Sequence, residues 1–174
     1  LCATFLRLQR EGAHNLNLVT ATPHTPFVLR ALHAAKQKGF CLPVVWNTGG
    51  YETTATLQAL LPHVDIWLFE LKFFDTEVSR RLADAPEYFA VASRALEMVC
   101  GAAGPPQYDE NGLLRRGVVV RILVLPGLRM DAIRLLRWAA AALPQDAFLL
   151  SLLHQYTPPA GAALPGALGR KVST

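Results

Sequence analysis

Asp65-Ile-Trp-Leu-Phe-Glu-Leu-Lys72 is a short β-branched and aromatic run that ends in two charges. It is too short for a globular helix and apolar on both alternating sides, which is the pattern of a strand covered on both faces. Glu70 and Lys72 stand two residues apart, so both charges project to one side. Before this run, Glu52–Leu61 has helical spacing and stops at Pro62, and Pro43-Val-Val-Trp-Asn-Thr48 is another strand, turned by Gly49-Gly50. Further upstream lie a helix over Phe27–Lys38, a strand over Asn15–Thr20, and an amphipathic helix over 1–11 that Gly12 ends.

Downstream, Asp75–Ala83 and Pro86–Cys100 are helical, and Gly101–Arg116 is an exposed loop or small hairpin. Strand Gly117–Pro126, helix Met130–Leu143 and a fifth strand over 147–153 follow, then the irregular tail Thr157–Gly169. Strand and helix in alternation define an α/β fold with a parallel sheet, either an open doubly wound sheet or part of a barrel. Sheets of this kind place their chemistry beyond the carboxyl ends of the strands. There the chain carries Thr20, Thr22, His24, Asn47, Thr48, Glu70, Lys72, Arg121, His154 and Gln155.

Composition narrows the function. Of 174 residues, 52% are hydrophobic and 17% charged, which suits one domain with a sizeable core. No apolar run reaches the ~18 residues of a membrane span. The formal charge of +4 is mild and its basic residues are scattered, against nucleic-acid binding. Cys2, Cys41 and Cys100 are far apart and form no CxxC or CxxxCxxC group, which fits a reducing cytoplasm and buried thiols better than a disulfide scaffold or metal cradle. His14, His33 and His63 lie among apolar residues with no zinc-ligand spacing. No GxGxxG or GxxxxGK[ST] cradles a phosphate. The opening Leu1 and the bare Lys-Val-Ser-Thr174 end lead us to expect a fragment.

The strand ends carry specific chemistry. Thr22 and His24, between Pro23 and Pro26, offer hydroxyl and imidazole on a stiffened loop, or make an ordinary loop. Asn47 and Thr48 can bind hydroxyl or carboxylate groups, with glycines allowing close approach; a turn leading to a helix cap is the other reading. Charges such as Glu70 and Lys72 on a buried strand are costly unless ligand-facing or mutually neutralised. Arg121, embedded in Val118–Leu125, must point into something polar, and a guanidinium suits a carboxylate.

Six ordered blocks carry a resemblance: Gly12-Ala-His-Asn-Leu-Asn-Leu-Val-Thr-Ala-Thr22, Leu42-Pro-Val-Val-Trp-Asn-Thr-Gly-Gly-Tyr-Glu52, Val64-Asp-Ile-Trp-Leu68, Ala85-Pro-Glu-Tyr-Phe89, Arg121-Ile-Leu-Val-Leu-Pro-Gly127 and Ser151-Leu-Leu-His-Gln-Tyr-Thr-Pro158. From about residue 8 onward the chain resembles the radical S-adenosylmethionine superfamily, in the branch related to pyruvate formate-lyase activating enzyme. The resemblance implies a partial (β/α) barrel with about five of six βα units present. Residues 1–156 would be that barrel without its first strand and cluster loop, and 157–174 a truncated Pro/Ala/Gly-rich extension. It implies a 4Fe–4S cluster whose CxxxCxxC ligands precede this chain, and S-adenosylmethionine cleaved reductively to a 5′-deoxyadenosyl radical. A glycyl radical enzyme and a flavodoxin- or ferredoxin-type electron donor are the implied partners.

By the same resemblance Thr22 and His24 stand where the family's Gly-Gly-Glu holds the methionine amino group. Asn47 and Thr48 face the cofactor, Glu70 and Lys72 replace an Asp-x-Lys anchor, and Arg121 belongs to an Arg-x-x-Val-x-Pro-Gly motif. His154 or Gln155 falls near the last strand's cofactor contact. Ile122 stands where close relatives have His. The chain alone is then expected to be inactive. Two alternatives compete: a barrel remnant kept as an interaction module, and a cluster-independent α/β enzyme using Lys72 and Glu70 for proton transfer.

Overall fold

The computed structural model describes residues 1–161 and 166–172. Its elements follow the expected cadence: α1 (Cys2–Arg10), β1 (Leu16–Val19), α2 (Thr25–Lys36), β2 (Val44–Thr48), α3 (Thr54–Leu60), β3 (Ile66–Glu70), α4 (Thr76–Ala83), α5 (Tyr88–Ala103), β4 (Gln107–Tyr108), β5 (Leu114–Leu123), α6 (Arg129–Ala142) and β6 (Leu149–Leu153). Local chemistry sets several of these boundaries. The Thr53 hydroxyl caps α3 by accepting from Thr56 N at 3.2 Å. Asp75 caps α4 by accepting from Glu77 N at 2.9 Å and Val78 N at 3.2 Å. Either cap contributes on the order of 1 kcal/mol.

β1, β2, β3, β5 and β6 are mutually parallel and lie in chain order, so the sheet has no reversal of the doubly wound kind. Short β4 pairs antiparallel with the entry of β5, below the stretch where β6 pairs with that strand. This hairpin is the second of the two forms expected for the 101–116 region. It starts β5 at Leu114, three residues earlier than the apolar pattern indicates, because ladder bonds rather than burial define that entry. β1 and β6 each pair with one neighbour, leaving the sheet open among the described residues.

One face of the sheet packs under the helices. Trp46, Trp67, Phe69, Val118, Val120 and Ile122 point there and are at most 1% exposed, against Leu32, Leu57, Leu96 and Leu135. Burying each such side chain contributes about 1.5–3 kcal/mol. In the expected C-terminal extension, Gly166–Gly169 forms a single 3-10 turn anchored where Tyr156 Oη donates to the Leu168 carbonyl at 2.9 Å. Residues 162–165 and 173–174 of that extension lie outside the described residues. No described helix is long and apolar enough to cross a membrane.

Candidate functional site

Strand register decides which tip residues can meet. Asn47 pairs with Val19 and Leu68, and Leu68 pairs with Val119, so these side chains share the face opposite the helices. The next row toward the carboxyl ends holds Glu70, Arg121 and Ser151. Asn47, Glu70 and Arg121 therefore project to one side. Thr48, one residue on from Asn47, projects to the other and is 4% exposed beneath the helices. The expectation that Asn47 and Thr48 face one ligand together is corrected here, because successive strand residues alternate.

At the mouth, Glu70 bridges two cations. Its Oε2 pairs with Lys72 Nζ, and its Oε1 lies 3.7 Å from Arg121 Nη2. The second distance is an ion contact too long for a hydrogen bond. Arg121, with its side chain 27% exposed, thus makes no hydrogen bond among the described residues and keeps its donor fork free. These three residues line a cavity of about 180 Å³ with Leu71, Phe73, Leu123 and Leu125. Three charged side chains in the lining of an otherwise apolar hollow suit a ligand with a charged head and a flat or apolar body.

The glycine turn after β2 shapes this mouth. A Cβ on Gly49 would stand 3.2 Å from Lys72 Cε, so the lysine stem lies directly over the turn. Gly50 has φ +78°, and a Cβ there would be 2.5 Å from the Phe69 ring. Any side chain at Gly50 would both strain the backbone and displace a core aromatic.

Three residues not singled out as site candidates in the sequence hold the tips. Tyr88, 3% exposed, accepts from Lys72 N at 2.9 Å, and its hydroxyl proton is shared between the Gly49 and Glu70 carbonyls, each at 2.8 Å. Burial, above all, raises its pKa; the nearby Glu70 and Glu52 charges add to the rise, and the Lys72 amide opposes it. Asp131 on α6 accepts from Phe74 N at 3.0 Å and Asp75 N at 2.8 Å, fixing the loop after β3. Glu52 accepts from Thr22, Trp46 and Thr48. Only Tyr88 carried a usable signal: it begins the inner stripe Tyr88, Ala92, Ala95, Val99 with a polar tip.

The remaining candidates lie elsewhere on the carboxyl edge. Thr22 sits in a 3-10 turn with its hydroxyl committed to Glu52, away from the Glu70 group. His24, His154 and Gln155 are exposed on loops beyond β1 and β6, with no side-chain hydrogen bond among the described residues. Thr20, immediately after β1, has φ +50°, unusual for a β-branched residue. Cys2 lies on α1, Cys41 is exposed and Cys100 is buried in α5, where burial pushes its thiol up to about 12. No group of three or more His, Cys, Asp or Glu among the described residues could hold a metal ion.

No family model matches the chain. An uncharacterized protein of Methanocaldococcus jannaschii is 29% identical over 124 residues, which is 71% of this chain and 32% of that protein. The chain thus spans about one third of that relative's length. Among solved structures, a domain of pyruvate-formate lyase-activating enzyme from Bacteroides vulgatus aligns over 80% of this chain and 99% of its own, with TM-score 0.49 and 15% identity.

Proposed function

We propose that this chain is the S-adenosylmethionine-holding body of a radical S-adenosylmethionine protein related to the pyruvate formate-lyase activating enzymes, its sheet an arc of that family's partial barrel. The observation that supports this most is the meeting of Glu70, Lys72 and Arg121 in one partly apolar cavity, one row beyond Asn47 on the same face. The ordered sequence blocks point the same way.

S-adenosylmethionine carries a carboxylate, an ammonium, ribose hydroxyls and an adenine. The free guanidinium fork of Arg121 suits its carboxylate, while Glu70 suits the ammonium or ribose hydroxyls. Lys72 adds positive charge, Asn47 supplies both a donor and an acceptor, and the leucines and Phe73 suit the adenine. His24 and Gln155 are proposed as contacts from the rim. Thr22 and Thr48 serve through the loop tips they hold.

The iron–sulfur cluster, which supplies the electron for sulfonium cleavage in the family, finds no three-ligand cradle among the described residues. A glycyl radical enzyme and a flavodoxin- or ferredoxin-type donor are proposed partners of the whole protein, in the cytoplasm.

Isothermal titration of the chain with S-adenosylmethionine tests the reading. Saturable binding is expected, weakened by about 1–3 kcal/mol in Lys72→Ala and Arg121→Ala, or roughly 5–150-fold. Absence of binding, or equal affinity in both variants, overturns it. Substrate turnover by the iron-free chain would favour acid–base chemistry at Lys72 and Glu70 instead.

A further inference from the structure

Behind the mouth, on the helix side, lies a carboxylate with no assigned role. Glu52 is 5% exposed. Its Oε1 accepts from Thr22 Oγ1 at 2.7 Å, Thr48 Oγ1 at 2.5 Å and Trp46 Nε1 at 3.2 Å. Thr22 belongs to the loop after β1, whereas Trp46 and Thr48 belong to β2. One oxygen therefore ties two successive strand tips. Thr48 Oγ1 accepts in turn from Gly50 N at 3.0 Å, which carries the tie into the turn beneath Lys72. Glu52 Oε2 is buried without a partner among the described residues. The carboxyl is held entirely through its other oxygen.

We propose that Glu52 is the positioning residue of the mouth. Holding Thr48 toward the helices keeps Asn47 on the open face, because adjacent strand residues alternate. Holding Thr22 fixes the loop that carries His24, and holding Gly50 through Thr48 fixes the floor under the Lys72 stem. Glu52 touches none of the ligand itself. Its role rests on the reading of the mouth as an S-adenosylmethionine site, and it acts only through its hydrogen-bond donors.

The test has two arms, both on the full chain. Without ligand, amide exchange at Gly50 and the Trp46 indole N–H resonance are followed in wild type, Thr22→Val, Glu52→Gln and Glu52→Ala. Glu52→Ala is expected to accelerate Gly50 exchange at least ~10-fold and to move the indole resonance. Glu52→Gln keeps both, since its amide oxygen still accepts. Wild-type behaviour in Glu52→Ala overturns the proposal.

With S-adenosylmethionine, Glu52→Ala and Thr22→Val are expected to lose about tenfold in affinity. Glu52→Gln should stay within ~3-fold of wild type, and ligand should shift the wild-type indole resonance. Affinity equal to wild type in Thr22→Val and Glu52→Ala leaves Glu52 a clamp of the fold and overturns its positioning role. If Glu52→Ala does not fold, Thr22→Val, which removes one donor only, decides alone. No binding even to wild type, with the first arm positive, overturns the ligand reading and the positioning role with it, while the hydrogen-bonded tie stands.

Discussion

The Tyr88 hydroxyl serves three backbone groups from two strand tips, the Gly49 and Glu70 carbonyls and the Lys72 amide. Tyr88→Phe would leave these groups short of a partner in a buried place, at an expected cost of about 1–3 kcal/mol. Urea unfolding measures that cost, and a midpoint equal to wild type counts against the role. Thr20 offers the opposite change. Its φ of +50° is costly for a β-branched residue, and Asn tolerates that conformation better. Thr20→Asn should therefore stabilise the chain by ~1 kcal/mol, read as a higher thermal midpoint. Residue identity alone pointed to Glu70, Lys72 and Arg121, since charges inside apolar strands need a polar destination. It could not reveal Glu52, whose value comes from donors thirty residues away, at Thr22, and six away, at Trp46.

Among the elements, α6 shows most plainly how a long-range contact shapes a short loop. Asp131 stands in its first turn, where an acid is favoured by the helix dipole, and sequence reading would stop there. The folded chain uses its carboxylate to hold Phe74 N and Asp75 N, so α6 sets the exit of β3 and the start of α4. Asp131→Ala should cost roughly 1–3 kcal/mol and increase amide exchange at Phe74 and Asp75. Exchange unchanged at those two positions would show that the loop holds itself. The strands and helices themselves were legible because period-2 and period-3.6 patterns are local properties. The β4–β5 hairpin was only half legible, since two-residue β4 has no periodicity to read.

For the whole molecule, three buried or shielded groups contribute to the pH dependence of stability. His63 is held below its ordinary 6.5, first by burial and then by Lys36 and His33. Its neutral form is favoured by folding, so stability is present above 6.5 and falls as pH drops through that value. Cys100 is raised from 9.0 by burial, and Tyr88 is raised from 10.0 chiefly by burial. Their protonated forms are favoured by folding, so stability is full below 9.0 and declines as pH climbs past 9.0 and then 10.0. Urea midpoints should form a plateau between those limits; a midpoint still rising past pH 10.0 would contradict the burial of Tyr88. By itself the sequence settled the alternation of strand and helix and the polar residues at strand ends, since each is a matter of composition and spacing. Only the tertiary structure decided that the parallel strands lie in chain order, that the face carrying Asn47, Glu70 and Arg121 is the one away from the helices, and that Tyr88, Glu52 and Asp131 brace the tips. Those are consequences of register and of contacts between residues distant in the chain, which no local pattern encodes.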